Sequence, residues 1–329
     1  METGFEVTDT ARTVTIVTQQ ANHPWWVIAA EIARVLSSYG SDPLRGYSVG
    51  VFTPRFGLGA LGNPMVVANG KFDLGITTPT ASAWLAMKGT GPFKAPHTNL
   101  RAIANYPHRD CVLFALSKAT GISSLDELVE RRYPLRLATG RKSNDQLDMV
   151  SFVVDEVLKQ YGGSLEMLQD WGGQVTFAGK TTQGIPLMIS GQVEAVFNEA
   201  QMMPDWDQLI AKTDVDFLSI GEDIIDRLDQ KLGLGKFVIG PERFPSLAND
   251  IRTVGFSGWL LFGSTELADE IAYKVTQAAV ETGPTIEKKY GGGKFASLAE
   301  IRPEAMCRDC LIPLHPGAEA YYRESGYLK

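Results

Sequence analysis

Polar and aromatic side chains gather in the segments that follow the predicted strands of this 329-residue chain. Such a mixture of hydrogen-bond donors, rings and charges is typical of a pocket for a small organic molecule. An anionic ligand, of the carboxylate class, is favoured by Arg141, Lys142 and several nearby helix starts, because positive charges and free backbone N–H groups attract anions. The candidate ligand-binding residues are Gln19, Asn22, His23, Trp25, Arg55, Phe56, Thr77, Thr78, Arg141, Ser143, Asn144, Asn198 and Glu199.

Each candidate also has a purely structural interpretation. Gln146 follows Ser143 by three residues, which is the capping-box pattern of a helix that begins at Ser143. Ser143 is therefore either a helix cap alone or a cap that also contacts the ligand. Arg141 and Lys142 are either solvated surface charges or cations that face the ligand. If Glu199 faces the pocket, it would favour an amine or a cation. Alternatively, Glu199 takes part in closure of the lobes or lies on the surface.

Residue patterns for catalysis, metal binding or redox chemistry are weak. The four histidines show no His-x-x-x-His spacing and no nucleophile motif beside them. For His23, a structural or ligand-binding role is favoured over general-base catalysis. Cys307 and Cys310 have the Cys-x-x-Cys spacing, but a zinc site needs two more ligands and the sequence has no second pair. We therefore expect no catalytic residue, no metal site and no cofactor.

The composition restricts the class of protein. Hydrophobic residues make up 44% and charged residues 21%, which is typical of a folded globule, and 329 residues are enough for two core-bearing units. A net charge of -7 argues against nucleic acid as a partner. No apolar run approaches the roughly 20 residues of a membrane span. Met1–Phe5 has no basic or apolar secretion signal, which leaves two locations open: outside the cytoplasm after signal removal, or the cytoplasm.

Strands and helices are predicted to alternate, which is typical of an α/β protein with a parallel sheet. The first strand is followed by a helix from Pro24 to Ser38, for which Asn22 is a suitable cap. Ligands of open α/β sheets lie beyond the carboxyl ends of the strands, and this rule selects the candidate loops. Strands are predicted at 12–18, 46–53, 71–77, 100–105, 111–117, 135–139, 174–178, 193–198 and 253–262, and helices at 24–38, 64–69, from 123, 143–161, 181–190 and 266–282.

A weak internal repeat indicates two units of like construction. The segment 68–76 resembles the segment 189–197, since each contains a helix end, a glycine, two residues, an acid and a buried strand. The glycine provides the left-handed residue that ends the helix. The two acids, Asp73 and Glu194, therefore hold corresponding places, and we interpret them as groups that fix a turn rather than as ligand contacts.

The C-terminal segment 313–326, PLHPGAEAYYRESG, resembles the tail of the TAXI family, the solute receptors of tripartite ATP-independent periplasmic (TRAP) transporters. The segments NPMVVANGKFDLG (63–75) and GISSLDEL (121–128) are also similar to that family. The resemblance implies a type II periplasmic-binding-protein fold, in which two α/β lobes, each a mostly parallel sheet flanked by helices, are joined by two crossing strands. One lobe would then comprise 1–108 and 256–329, and the other 109–255.

The resemblance implies a receptor that captures a small organic acid or amino-acid-like molecule between its lobes and delivers it to a TRAP membrane partner. Two loops depart from the family, since 18–24 and 139–144 are bulkier than the glycine-rich loops usual there, so the ligand is expected to differ. The alternative is a cytoplasmic enzyme or sensor on the same scaffold, for example an aromatic-acid decarboxylase. In that case His23, Arg55 and Arg141 are the residues to suspect.

Overall fold

The computed structural model describes residues 12–39, 47–54, 59–292 and 301–329, and Arg55 and Phe56 lie outside that part of the chain. Its strands are β1 (Arg12–Val17), β2 (Tyr47–Phe52), β3 (Leu74–Thr77), β4 (Leu100–Tyr106), β5 (Leu113–Ser117), β6 (Arg136–Thr139), β7 (Lys142–Ser143), β8 (Gln146–Leu147), β9 (Gln174–Phe177), β10 (Ala195–Asn198), β11 (Val215–Phe217), β12 (Lys236–Ile239), β13 (Ile251–Val254) and β14 (Trp259–Ser264). Its helices are α1 (Pro24–Ser38), α2 (Gly59–Ala68), α3 (Thr80–Lys88), α4 (Leu125–Glu130), α5 (Met149–Gln160), α6 (Leu165–Asp170), α7 (Thr181–Ile189), α8 (Pro204–Lys212), α9 (Glu222–Leu232), α10 (Asp269–Tyr290), α11 (Pro303–Met306) and α12 (Pro316–Glu324).

Two five-stranded sheets organise these elements. The first has the order β2-β1-β3-β14-β4 and the second the order β11-β5-β10-β6-β9. In each sheet three neighbouring strands are parallel, and the next strand, β14 or β5, runs antiparallel to them. The two sheets with their flanking helices are the two lobes expected from the sequence, with one antiparallel strand in each sheet.

Two chain segments connect the sheets, one after β4 and one before β14. The prediction of a single strand over 253–262 is wrong, because the chain breaks at 255–258 into β13 and β14. Gly258 has a φ of +85°, a left-handed conformation that suits glycine. Its N–H donates to the carbonyl of His108 at 3.0 Å, so the two connecting segments run side by side between the sheets.

Helix α1 shows how sequence pattern and packing agree in the first lobe. Its bounds match the prediction, and its apolar face buries Ile28, Ile32 and Leu36 in a core shared with α10 and α12. A separate cluster around Trp206 and Phe244 forms part of the second lobe's core. Within the described residues, no helix is long and apolar enough to span a membrane.

Candidate functional site

The loops at the carboxyl ends of the strands face each other across the two lobes. His23 follows β1 in the first lobe, and Lys180 follows β9 in the second. The positive charge of Lys180 contributes to lowering the pKa of His23, so the two side chains lie close enough to interact. This relationship brings one strand-end loop of each sheet close together, and the space between them is called the cleft below.

His23 is the N-cap residue of helix α1, whereas the sequence suggested Asn22 for that position. Its Nδ1 accepts the N–H of Trp25 at 3.3 Å, and its ring meets the Trp25 ring edge-on. Burial, followed by the charge of Lys180, lowers the pKa of His23 to about 4. The ring is therefore neutral near pH 7, and because Nδ1 is an acceptor, its hydrogen is on Nε2.

Two carboxyl groups, that of the fully buried Asp110 and that of the half-buried Glu199, share a hydrogen bond at the base of the cleft. The carboxylate of Asp110 also accepts three backbone N–H groups, those of Cys111 at 2.7 Å, Gln201 at 2.9 Å and Ala200 at 3.0 Å. Burial raises the pKa of Asp110 to about 6, and these donors oppose that shift because they stabilise the ionised form. The proton of the pair therefore belongs to Glu199, whose pKa is raised well above its usual range by burial and by the charge of Asp110.

His108 lies beside this carboxyl pair on the connecting segment. It is 4% exposed, stacks on Trp259 with ring centroids 4.4 Å apart, and places Nε2 3.9 Å from Asp110 Oδ2. Burial, with a smaller contribution from His23, lowers the pKa of His108 to about 3, which keeps the ring neutral. His108 is therefore not a cation that pairs with Asp110 near pH 7.

Several buried polar atoms near the carboxyl pair have no hydrogen-bond partner among the described residues. They are His108 Nδ1, Asn198 Nδ2 and Gln201 Oε1. Asn198 Oδ1 accepts the N–H of Glu199 at 2.9 Å, which places the free amide end of Asn198 next to the pair. Buried polar groups are nearly always satisfied in folded proteins, so these atoms indicate a site for water or a polar ligand.

Arg141 and Lys180 provide positive charge at the mouth of the same cleft. Their loops are held together, since Ala178 and Gly179 both donate backbone N–H groups to the carbonyl of Thr139. The side chain of Arg141 packs against Gly179, where a Cβ would lie 2.7 Å from Arg141 Nε. Burial, followed by the charge of Arg141, lowers the pKa of Lys180. Neither cation forms an ion pair within the residues that the structure describes.

The predicted helix start at Ser143 is wrong. Asn144 and Asp145 both have positive φ, at 48° and 61°, and form the tight turn of a hairpin between β7 and β8. Helix α5 begins at Met149 instead, where Asp148 Oδ1 accepts the N–H of Ser151 at 2.9 Å. Ser143 and Asn144 are exposed on the hairpin, so no helix start at Ser143 is available to hold an anion.

The remaining candidates differ in their exposure. Thr77 is fully buried and donates to the carbonyl of Ala60, whereas Thr78 and Gln19 are half-buried at strand ends. Asn22 is exposed, with a φ of +67°. Trp25 is 2% exposed and packs in the first lobe's core, which leaves little ring surface to face a ligand.

Three residues of this site were not predicted from the sequence: His108, Asp110 and Lys180. Lys180 follows a predicted strand, so the strand-end rule itself could have selected it. His108 and Asp110 follow the carboxyl end of β4 on the connecting segment, so the same rule could have selected them. The sequence does place His108, Arg109 and Asp110 together directly after a strand, as a polar group in an otherwise apolar region.

Two further observations concern other kinds of site. No group of three or more His, Cys, Asp or Glu side chains lies close enough to hold a metal ion, within the ranges described. A surface cavity of about 350 Å³ lies at the edge of the second sheet beside β11, away from the strand-end loops. Its charged residues include Lys118 and Asp214, which pair with each other at 2.8 Å. We therefore place the candidate site in the cleft.

Comparison with known proteins gives a family and a fold. A protein of Xanthomonas citri bound to chloride ion is 10% identical, with 96% of this chain and 97% of that chain covered and a TM-score of 0.51. A TctC solute binding protein from Polaromonas, without ligand, is 13% identical, with 96% and 100% covered and a TM-score of 0.50. At such identities the similarity establishes the fold alone.

No curated protein matches the chain in sequence. The coarser expectation from the tail, a periplasmic-binding-protein fold, is confirmed by the architecture and by these structures. The sequence profile of one family, described as NMT1-like, matches residues 25–326. Because that match spans most of the chain, the chain belongs to the NMT1-like family.

Proposed function

We propose that this chain is a solute receptor outside the cytoplasm, which captures a small carboxylate-bearing molecule between its lobes and delivers it to the membrane components of a TRAP transporter. The observation that carries the proposal is the pair of cations, Arg141 and Lys180, which face the cleft without an ion-pair partner among the described residues. The fold supports a binding role, since the TctC structure is that of a solute binding protein. The C-terminal segment 313–326 supports the transporter class.

The electrostatics of the cleft favour an anion over a cation or a neutral molecule. Arg141 and Lys180 lie close enough for each charge to oppose the other, and burial weakens the hydration of Lys180. A carboxylate between them would relieve this repulsion and replace the lost water contacts. The neutral His23 on the opposite lobe offers an Nε2–H donor to the same anion once the lobes close.

A binding screen with a matched pair of variants tests this proposal. Organic acids and amino acids are first screened by thermal shift, because a ligand that binds only the folded state raises the melting temperature. For the best carboxylate, Arg141→Ala should weaken affinity by more than about tenfold in calorimetry, since a charge-assisted hydrogen bond contributes about 1.5–3 kcal/mol. Lys142→Ala is the control, because Lys142 is exposed on the hairpin and pairs with Asp145.

The result that would contradict the proposal is equal affinity in Arg141→Ala and wild type, or no binding of any carboxylate. Chemical conversion of the bound acid by the wild-type protein would instead indicate an enzyme. Delivery is tested separately, by adding the ligand-loaded protein to vesicles that contain the TRAP membrane components. Uptake that requires the loaded receptor is expected.

A further inference from the structure

The two lobes also contact each other away from the strand-end loops. Gly233 follows helix α9, which packs on α5 in the second lobe, whereas Trp84 lies on helix α3, which packs on α2 and β4 in the first lobe. Leu311 precedes the segment in which Leu314 pairs with β4. A Cβ at Gly233 would lie 3.3 Å from Trp84 Cε3 and 3.2 Å from Leu311 Cδ1. These three residues of different lobes are therefore packed closely together, and we call them the α3–α9 contact.

Glycine at position 233 allows this close approach. Gly233 has a φ of +69°, the left-handed conformation that ends many helices, and its N–H donates to the carbonyl of Asp229 at 2.7 Å. The Lys88 ammonium lies 4.0 Å from the centroid of the Trp84 ring, so it covers one face of that ring. The ring edge with Cε3 and Cζ3 faces Gly233. Trp84 is thus held between a cation of its own lobe and the backbone of the other lobe.

The loop that contains Gly233 is also attached to the segments that connect the lobes. Gly255 donates its N–H to the carbonyl of Gly235 at 3.0 Å, and it forms an isolated β-bridge with Cys111 of the other connecting segment. A rotation of the lobes about the connecting segments would therefore move Trp84 and Leu311 relative to Gly233. Hinge rotation of this kind is the usual way in which two lobes open and close around a ligand.

A second apolar contact crosses the boundary between the lobes beside α3. Gly91 follows α3 in the first lobe, and a Cβ there would lie 3.1 Å from Cζ of Phe152 on α5 in the second lobe. The buried apolar cluster is continuous across the same boundary, since it contains Leu85 of α3 and Leu232 of α9. Helix α3 is therefore the element of the first lobe that packs against the second lobe.

We propose that the α3–α9 contact sets the ligand affinity from outside the cleft, because it stabilises the arrangement of the lobes that binds the ligand. In the described arrangement, the loops of His23 and Lys180 lie close together. A gap of about 1 Å already removes about half of the dispersion attraction between two surfaces, so the contact is lost when the lobes turn apart. The fraction of unliganded protein in the binding arrangement determines the apparent affinity. The effect on affinity rests on the proposed function, whereas the effect on the lobes does not.

Leu311→Ala tests the proposal with little disturbance of the first lobe. Leu311 is 41% exposed, and its φ of +61° makes the same demand on alanine as on leucine. Spin labels on Arg34→Cys and Asp214→Cys, at exposed sites of the first and second lobes, report the distance between the lobes without ligand. In Leu311→Ala, the ratio of molecules in the described arrangement to molecules with the lobes turned apart should fall about fivefold. Unchanged distances would overturn the proposal.

Two further variants are the controls for the distance measurement. Leu311→Met keeps a flexible apolar side chain at the contact, so its distances should match those of the wild type. Met65→Ala removes an apolar side chain of equal exposure, 41%, from α2 of the same lobe, and should also leave the distances unchanged. A shift in Met65→Ala as large as that in Leu311→Ala would contradict a specific role for the α3–α9 contact.

Ligand affinity is the second measurement. For the carboxylate that the thermal-shift screen selects, Leu311→Ala should weaken binding about three- to fivefold in calorimetry, with a nearly unchanged melting temperature without ligand. A lower melting temperature with unchanged affinity would show that Leu311 is merely structural, against the proposal. If no carboxylate binds but the distance between the lobes shifts, the proposed function is wrong and the role of the contact in the lobe arrangement stands. If carboxylates bind and the distance does not shift, only the role of the contact is wrong.

Discussion

Asp73 and Glu194 hold equivalent positions in the two lobes. Asp73 accepts the backbone N–H of Thr15 at 2.9 Å, and Glu194 accepts that of Arg136 at 3.2 Å; in both cases the donor precedes the acid by 58 residues. Each acid therefore ties the start of one strand, β3 or β10, to its neighbour, β1 or β6. Both acids lie at the end of the sheet opposite the cleft, where they position the strands whose other ends carry the site.

The first prediction follows from that relationship. Asp73→Ala removes the acceptor for both the N–H and the hydroxyl of Thr15, and should lower the free energy of unfolding by about 1–3 kcal/mol. Glu194→Ala should have a smaller effect, because Glu194 is 24% exposed and its bond to Arg136 is longer. Urea denaturation measures the free energy of unfolding of both variants. Ligand affinity should not change, and a variant that folds normally but loses ligand would assign its acid to the binding site.

Much of the fold was predictable because its signals are local. The alternation of strands and helices, the bounds of α1, and the repeat around Asp73 and Glu194 all follow from patterns within a few residues. The hairpin at 142–147 was not predicted. Its Ser-x-x-Gln spacing fits a helix cap equally well, and the left-handed conformations of Asn144 and Asp145 decide between the two only when the strands pair.

The candidate site was predicted only in part, because its base depends on long-range contacts. The strand-end rule selected Arg141 and Glu199, which lie after β6 and β10, and Asn198, the last residue of β10. Asp110 belongs to the site because it accepts N–H groups from residues about 90 positions later. No local pattern in the sequence reports such a contact.

Gly258, between β13 and β14, should not tolerate replacement by a residue with a side chain. In Gly258→Ala, the new Cβ would lie 2.4 Å from Thr80 Cγ2 and 2.8 Å from Asn105 Oδ1, in a backbone conformation with φ at +85°. We expect a loss of about 2–4 kcal/mol in the free energy of unfolding. Gly70→Ala is the matched control, since φ is +67° there but no atom lies within 4 Å. An equal loss in both variants would show that contact with Thr80 is unimportant.

Removal of the Asp110 carboxylate should destabilise the second lobe's strand-end loop. Asp110→Ala leaves the N–H groups of Cys111, Ala200 and Gln201 without their acceptor in a buried region. A loss of about 3–5 kcal/mol in the free energy of unfolding is expected. Asp214→Ala removes an exposed carboxylate paired with Lys118, and should cost less than about 1 kcal/mol. If Asp110→Ala lowered the free energy of unfolding as little as Asp214→Ala does, the structural role of the three hydrogen bonds to Asp110 would be contradicted.

His108 should make the folded protein sensitive to acid. Its pKa is lowered to about 3 by burial, with His23 the next contribution, and Asp110 is the acid that faces it. An unfolded histidine takes up a proton below pH 6.5, whereas folded His108 stays neutral to about pH 3. The unfolded state therefore binds more protons in this range, so stability falls as pH falls. Between pH 7 and pH 4, His108 should account for a loss of about 3 kcal/mol.

Two glutamine variants isolate this contribution from that of His23 and the carboxyl groups. His108→Gln cannot titrate, so its free energy of unfolding should decline less steeply with acid than that of the wild type, by about 1.4 kcal/mol per pH unit below pH 6.5. His97→Gln, at a partly exposed position, should follow the wild-type curve. Denaturant unfolding at steps of half a pH unit gives the dependence of the free energy of unfolding on pH for the wild type and the two variants. Parallel curves for His108→Gln and wild type would mean that His108 is protonated in the folded state, with Asp110 rather than Trp259 as its main partner.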